Sequence, residues 1–337
     1  MAEPALHEGV GPFDEQTTIG GYFALEGTLT PNSLYKTALK FQSARAAFSA
    51  LLLAGTPKRV WVPRYICDGM LAPLRGSGIE TRFYDIREDF GVDPSLRLEA
   101  ADWLLYVNYF GLCDALEEEL LQRFDPAQLV MDHAQALFSP ARRCLATIYS
   151  PRKFLGMPDG GLLISRLTVP SPEETDHGSV DRCQHLLLRA DGKISSGYEA
   201  FKASEASLED YTPRRMSPLS RYLFRNCDVQ AVSLKRRQNF QALDERFGTI
   251  NKIHVDLDRE QTPLCYPLWL ERPVNRPRLA QQNVFIPVYW QEVLHRCDRS
   301  SIEHNLSLNC LPLPCDQRYN LGDIERLVTC LRSELSH

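Results

Sequence analysis

Two segments of the chain carry side chains of the types that do chemistry, an aspartate that closes an apolar run and a lysine in a turn. Asp132 closes the run LVMD, and Gln135 follows three residues later. A buried carboxylate requires a cationic or hydrogen-bonding partner, and the protonated nitrogen of a heteroaromatic ring is one such partner. That contact makes the ring an electron sink, and Gln135 would hydrogen-bond a phenolic oxygen of the same ring. The alternative is that Asp132 caps a helix formed by HAQALF.

The lysine lies in the segment IYSPRKFLGMPDGG. Lys153 follows Ser150 in a Pro-containing turn and precedes Gly160 and Gly161. A desolvated lysine amine is a nucleophile that forms an imine with a carbonyl group. The glycine pair permits close approach of the backbone to another group. The alternative is a solvated loop lysine with no role in chemistry.

Two further segments can bind an anion and a planar ring. The run Gln42-Ser43-Ala44-Arg45 begins an apolar helix. Its free N–H groups, the Ser43 hydroxyl and the helix dipole suit a phosphate, although an ordinary N-cap is the alternative. In VPRYICD, Tyr65 follows a strand end. Its ring, or failing that Cys67, can cover one face of a flat ligand, and core packing is the alternative.

The elements that must position these residues alternate along the chain. The pattern predicts strands at 59–63, 80–86, 103–110, 129–132, 145–150 and 161–165, and helices over FQSARAAFSALLLAG, 68–75 and 115–124. Strands that alternate with helices indicate βαβ units and a mainly parallel sheet with both faces covered. Ligands of such sheets bind at the carboxyl ends of the strands, which here are 63–65, 108–111, 132–135 and 150–153.

The chain divides into three predicted parts. Residues 1–32 form an irregular N-terminal arm, 33–218 a large α/β domain, and 219–337 a long linking helix and a smaller C-terminal α/β domain. In the last part, a helix over 219–247, strands or strand ends at PLCYPLWL and NVFIPVYW, and a final helix at LGDIERLVTCLRSEL are expected. The polar stretch 170–218 is expected to hold a surface helix and a substrate loop.

Bulk properties narrow the class of protein. The chain has 337 residues, of which 44% are hydrophobic and 24% charged, as in a globular protein with a large core. The net charge of −5 argues against nucleic acid as a partner. Ten cysteines are scattered without a CxxC pair, which favours reduced thiols in a cytoplasmic protein and no structural metal. We expect no signal peptide and no membrane span.

The chain resembles the fold-type-I aminotransferases of the DegT/StrS sugar-aminotransferase family, which use pyridoxal 5′-phosphate (PLP). The segment VWVPRYICDGM is similar to the family's strand and following helix, and VNYFGL is similar to its strand that ends in a Gly turn. LVMDHAQALF is similar to the family's Asp-x-Ala-x-Ala cofactor segment, and YSPRKFLGMPDGG to its Ser…Lys…Gly-Gly segment. LPLPCDQRYNLGDIERL resembles its C-terminal strand and last helix.

This resemblance implies roles for the residues above. Lys153 would form the imine with PLP, Asp132 would contact the pyridine nitrogen, and Gln135 the phenolic oxygen. Ser43, Ala44 and Ser150, with Arg45 beside them, would hold the phosphate, and Tyr65 would cover the ring. The family's activity implies transfer of an amino group from an amino acid to a nucleotide-linked keto-sugar by a homodimer. The alternatives are a PLP enzyme for elimination or dehydration and a non-catalytic binding protein of the same fold.

The chain departs from the family pattern at four places. The approach to the lysine is shortened to Ser-Pro-Arg-Lys, so Ser150 takes either the phosphate role or that of the family's histidine. The helix start is Ser-Ala-Arg where the family has Gly-Thr or Gly-Arg, and the ring-stacking position is Cys67 with Tyr65 nearby. The family's Gly-x-Asn-x-Arg loop from the second subunit is replaced by YTPRRM, in which Arg214 or Arg215 supplies the phosphate contact or the contact is lost.

Overall fold

The structure is a computed structural model that describes residues 25–27, 32–254, 257 and 261–335. Within these residues, one seven-stranded sheet has the order β1-β7-β6-β5-β4-β2-β3. Its strands are β1 (Leu39–Phe41), β2 (Arg59–Pro63), β3 (Glu80–Tyr84), β4 (Asp102–Val107), β5 (Leu129–His133), β6 (Ala146–Tyr149) and β7 (Gly161–Ser165). The predicted arm over 1–32 lies almost entirely outside the described residues.

Six of these strands run in the same direction, and β7 runs opposite to them. β3, β2, β4, β5 and β6 pair in parallel, whereas β7 is antiparallel to both β6 and β1. Every residue of β4, β5 and β6 is buried, as expected for central parallel strands covered on both faces. The carboxyl ends of β1, β2, β4, β5 and β6 therefore meet at one edge of the sheet, together with the start of β7.

Helices surround this sheet and build the rest of the chain. They are α1 (Ala44–Gly55), α2 (Asp68–Ser77), α3 (Asp114–Arg123), α4 (Ser179–Arg182), α5 (Gln184–Ala190), α6 (Ile194–Ser207), α7 (Pro218–Arg225), α8 (Val229–Phe247), α9 (Arg276–Gln281), α10 (Val293–Arg296), α11 (Ile302–Asn309) and α12 (Leu321–Leu335). In the described part of the chain, no helix combines the length and the apolar character needed to cross a bilayer.

A second, two-stranded sheet lies in the C-terminal part. β8 (Tyr266–Trp269) and β9 (Cys310–Leu313) pair antiparallel. Apolar side chains of α8, β8, β9 and α12 form a cluster of their own, including Phe240, Leu268 and Leu331. The division of the chain into an arm and two domains stays a prediction.

The predicted helix over 219–247 is wrong as a single element. The chain breaks at residues 226–228, where the helical hydrogen-bond pattern stops after α7. The Asp228 side chain accepts a hydrogen bond from the Ala231 N–H at 2.9 Å and begins α8 as an N-cap. Aspartate competes with helical backbone bonding in this way, so apolar spacing alone could not detect the break.

The predicted strand at NVFIPVYW is also wrong. The segment is irregular, and Asn283 and Trp290 at its two ends have φ values of 58°. Two of its aromatic residues are half-buried and pack on the core beside the large sheet, with the Trp290 ring 4.5 Å from that of Tyr65 and the Tyr289 ring 6.3 Å from that of Phe110. This packing, and not strand pairing, accounts for the aromatic end of the run, whereas Phe285 is 65% exposed.

Smaller differences concern the ends of elements. The strand predicted at 103–110 stops at Val107, and a 3-10 turn at Tyr109–Gly111 follows. The helix predicted over FQSARAAFSALLLAG begins only at Ala44, and it ends at Gly55 with Thr56 in the left-handed cap position. The strands predicted at 59–63 and 161–165 are confirmed with the same bounds.

Candidate active site

The strand order brings the predicted chemical residues to one edge of the sheet. Asp132 lies opposite Ile148 in the parallel pair β5–β6, and Lys153 lies in the 3-10 turn that follows β6. The N–H of Asn108, after β4, donates to the Asp132 carbonyl at 3.0 Å. Since these strand ends are adjacent, Asp132, Gln135 and Lys153 surround one region above the sheet.

The start of α1 joins this edge through β7. The Gly160 N–H donates to the Gln42 carbonyl at 2.8 Å, and a bridge pairs Ser43 with Gly160. A Cβ atom on Gly161 would lie only 2.1 Å from the Ser43 carbonyl carbon and 2.4 Å from the Ala44 nitrogen. This contact explains why glycine is required there, because the backbone of β7 packs directly against the backbone of the helix start.

The helix start has the features of an anion site. The Ser43 hydroxyl accepts from the Ala46 N–H at 3.1 Å, as an N-cap does. Extending the β6–β7 register by one residue brings Ser150, which is 4% exposed, opposite Gly161 and so toward the same helix start. The first N–H groups of α1 have no helical acceptor by geometry. This register places Ser150 beside Gly161, the residue that contacts Ser43 and Ala44, and the role of Ser150 stays a prediction.

Asp132 is a buried acid at the end of β5. It is 3% exposed, and its Oδ1 accepts from the Ala134 N–H at 2.8 Å. Burial raises the pKa of Asp132, and the positive charge of Lys153 only partly opposes that effect. Residues 134–138 form turns and not the helix of the alternative interpretation. A cation bound beside this carboxyl would favour its ionised form.

The hydrogen bonding of Gln135 fixes which way its amide points. Its Oε1 accepts from the Phe110 backbone N–H at 2.8 Å, and only the oxygen of an amide can accept. Phe110 has a φ of 59°, which is unusual for a bulky residue and directs its N–H toward Gln135. The Gln135 NH₂ is consequently the group that can donate to an acceptor such as a phenolic oxygen.

Lys153 lies among charged side chains. It is exposed, whereas its neighbour Arg152 pairs with Glu205 of α6, with Nη2 and Oε2 3.0 Å apart. Burial acts to raise the pKa of Glu205, but Arg152, Lys153 and Arg45 outweigh it, so that pKa is lowered. Arg45 donates to the Leu208 carbonyl at 2.8 Å, beyond the end of the same helix. The end of α6 therefore borders the region around Lys153.

The two candidate ring-stacking residues have different surroundings. Tyr65 is 1% exposed and packs between the rings of Tyr109 and Trp290, in the core. Cys67, two residues later, interacts electrostatically with Lys153 and Asp132, and burial raises the pKa of its thiol. Of the two positions, that of Cys67 shares the environment of the acid and the lysine.

The segment YTPRRM runs beside β1 of its own chain. The Gln42 side chain donates to the Thr212 carbonyl at 2.6 Å and accepts from the Arg214 N–H at 2.8 Å. The Arg214 guanidinium pairs with Asp210 at 2.7 Å, and Arg215 donates to the Thr175 hydroxyl at 3.1 Å. Both guanidinium groups therefore have protein partners, and the choice between them as a phosphate ligand stays open.

Sequence reasoning did not identify Phe110 and Glu205. Phe110 belongs to a run that reads as strand, and a left-handed conformation of phenylalanine leaves no signal in the sequence. Glu205 lies 53 residues after Arg152, in a polar helix with no recognisable motif. Only the folded chain brings these residues to the site.

Comparison with known proteins identifies the fold. Searches with family models and against curated protein sequences gave no match. Among solved structures, the aminotransferase TlmJ from Streptoalloteichus hindustanus is 16% identical, with a TM-score of 0.62 over 89% of this chain and 86% of its own. DesI in the presence of its TDP-sugar product is 16% identical, with a TM-score of 0.58 over 88% of this chain and 79% of its own.

A third structure carries the family's name. The DegT DnrJ EryC1 StrS aminotransferase from Brucella abortus is 16% identical, with a TM-score of 0.55 over 88% of this chain and 85% of its own. The chain therefore has the α/β fold of these solved structures, which confirms the predicted fold class.

Proposed function

We propose that this protein is a PLP-dependent aminotransferase that moves an amino group from an amino acid to a nucleotide-linked keto-sugar. The observation that carries the proposal is the convergence at one sheet edge of a buried acid, an oriented amide donor, an exposed lysine and a helix start. Each of these groups matches one part of the cofactor: ring nitrogen, phenolic oxygen, aldehyde and phosphate.

The residues fit the cofactor in charge and in hydrogen bonding. Asp132 is a carboxyl whose burial opposes its ionisation, and a protonated pyridine nitrogen offsets that effect. The Gln135 side-chain oxygen already accepts from the Phe110 N–H. Its NH₂ is therefore the group that can donate a hydrogen bond to the phenolic oxygen of the cofactor. Ser43, Ala44 and Ser150 offer N–H and hydroxyl groups to a phosphate dianion at the positive end of α1.

The mechanism assigns one task to each residue. Bound PLP supplies an electron sink for the negative charge that develops on the substrate carbon. Asp132 keeps a proton on the ring nitrogen, which maintains that sink. The Lys153 amine at Nζ takes the proton from the substrate carbon and returns it to the other reacting carbon, as general base and then acid. The guanidinium of the neighbouring Arg152 is paired with Glu205.

The substrate class is part of the same proposal. DesI, with the same fold, was determined with its TDP-sugar product, which supports a nucleotide sugar as the amino acceptor. The polar stretch 170–218 contains α6, which borders the site through Glu205 and is suited to contact that substrate. We further propose a cytoplasmic homodimer, from the unpaired cysteines and the resemblance to a dimeric family.

A single-turnover assay tests the activity. Protein loaded with PLP is mixed with each amino acid in turn, and the aldehyde form of the cofactor and the keto acid product are followed. We expect conversion of the cofactor to its amine form together with an equal amount of keto acid for at least one donor. Lys153→Ala should abolish this conversion, while the control Lys58→Ala, on an exposed side chain before β2, should not.

The same assay, repeated with a sugar nucleotide in place of the amino acid, separates the competing functions. If the protein binds PLP and a sugar nucleotide loses water or another group while no amino acid yields a keto acid, the reaction is elimination or dehydration and not transamination. No uptake of PLP would indicate a non-catalytic binding protein. Either result overturns the proposed amino transfer.

A further inference from the structure

A buried arginine in α8 bonds to main-chain carbonyls on two sides of the site. Arg236 is 2% exposed, and burial lowers its pKa. Its Nη1 donates to the Leu264 carbonyl at 2.8 Å, its Nη2 to the Phe154 carbonyl at 3.2 Å, and its Nε to the Gln317 side chain at 3.1 Å. Within the described residues its guanidinium makes no ion pair. A buried, unpaired cation costs stability, so packing alone does not explain an arginine here.

One of these carbonyls, that of Phe154, belongs to the residue after Lys153. The Phe154 carbonyl accepts a second hydrogen bond from the Gln317 Nε2 at 2.7 Å, and the Arg236 guanidinium lies 4.7 Å from the Phe154 ring. On its other side, the turn is closed by the Phe154 N–H, which donates to the Pro151 carbonyl at 2.9 Å. Two donors from the C-terminal half of the chain thus hold the turn that carries Lys153.

The second carbonyl leads to Gln135. The Leu264 N–H donates to the Phe110 carbonyl at 2.8 Å, and the Phe110 N–H donates to the Gln135 Oε1 at 2.8 Å. Phe110 is held in a left-handed conformation that is unfavourable for its type by about 1 kcal/mol. Such a conformation persists only when neighbouring contacts enforce it, and Leu264 is one of those contacts.

We infer that Arg236 is a positioning residue, which fixes the Lys153 turn and the Gln135 amide relative to each other by bonding to Phe154 and Leu264. The inference rests on the proposed function for the roles of Lys153 and Gln135. The side chain contacts neither the reacting atoms nor the cofactor. It acts through the carbonyls of Phe154 and Leu264, which lie in distant parts of the chain.

Hydrogen exchange of the full-length protein without PLP tests the positioning directly. Arg236→Met retains the apolar stem and removes all donors, so the amides of Phe154 and Phe110 should exchange about tenfold faster, the equivalent of one lost hydrogen bond. Amides within β7 should keep their rates, because they report global opening. The control Arg237→Met removes the same charge from the next position of α8 and should change none of these amides.

A second readout uses PLP at saturating concentration. The rate at which a borohydride-reducible label forms on Lys153 should fall about tenfold in Arg236→Met, recover in part in Arg236→Lys, and stay unchanged in Arg237→Met. Unchanged local exchange with an unchanged labelling rate would overturn the inference. So would equal acceleration of exchange at β7, since a merely structural role predicts that result.

Gln317→Leu keeps the test decisive if Arg236→Met does not fold. This variant removes one donor to Phe154 and the acceptor of the Arg236 Nε, and it keeps the bonds of Arg236 to the Phe154 and Leu264 carbonyls, so faster exchange at Phe154 supports the positioning and unchanged exchange refutes it. If the wild-type protein takes up no PLP, the proposed function fails, while the exchange experiment still decides whether Arg236 holds the turn.

Discussion

Substitution of Gly161 by alanine tests the close approach between β7 and the helix start. The added Cβ would lie 2.1 Å from the Ser43 carbonyl carbon and 2.2 Å from its oxygen, where ordinary contacts are 3.4–4 Å. The backbone of Ser43 and Ala44 would have to move by about an ångström, because no flexible side chain can give way. Overpacking of this kind costs about 3 kcal/mol, and Gly161→Ala should lower the melting temperature by about 5 °C or more.

The same displacement should weaken the phosphate site. Loss of one or two hydrogen bonds from the helix start to a phosphate costs about 1.5–3 kcal/mol, so PLP affinity should fall at least about tenfold. Urea unfolding and a PLP titration measure the two effects. The matched control is Gly156→Ala in the same loop, where a Cβ would meet nothing within 4 Å. If Gly161→Ala and Gly156→Ala were equally stable and bound PLP equally well, the close approach would be refuted.

Three further substitutions test the remaining parts of the site. Burial raises the pKa of Asp132 above its ordinary value of 3.8, so the ionised form opposes folding at high pH and the protonated form does not at low pH. In urea unfolding, Asp132→Asn should therefore stabilise the cofactor-free protein more at pH 8 than at pH 3, and it should reduce amino transfer about a hundredfold or more. Gln135→Leu should leave the phosphate site intact and shift the absorbance of the bound cofactor, and an unchanged spectrum would contradict the role of the amide. Glu117 is fully buried and accepts from His133 and from Arg142, each at 2.5 Å. Burial acts to raise its pKa, but these two partners outweigh it, so stability from Glu117 is present at neutral pH and lost as pH falls. Glu117→Gln should cost about 3 kcal/mol at pH 7 and less at pH 4, and equal losses at both pH values would contradict the ionised pair.

The sequence predicted the regular part of the sheet because its signals are local. β5 and β6 are short apolar runs bounded by turn residues, so their ends, and with them Asp132 and the Lys153 turn, could be located. Ser43 before an apolar helical run is a local signal as well, and it is the N-cap of α1. The βαβ pattern then predicts a mainly parallel sheet, in which the carboxyl ends of the strands lie at one edge.

The remainder depends on contacts between distant residues. The left-handed Phe110 is held by Leu264 and Gln135, the break before α8 is made by the Asp228 cap, and the irregular run before Trp290 packs on Tyr65. The bonds from Arg236 to Phe154 span 82 residues. None of these features follows a periodic hydrophobic pattern or a sequence motif, so the sequence alone could not predict them.

The most direct test of the account is an absorbance spectrum of the purified protein with added PLP, before and after borohydride, followed by peptide mass analysis. If Lys153 forms the imine, the spectrum shows a yellow band that borohydride bleaches, with the reduced pyridoxyl group on Lys153. No band, or a label on another lysine, would contradict the assignment of Lys153 and leave a shared fold without the proposed catalysis.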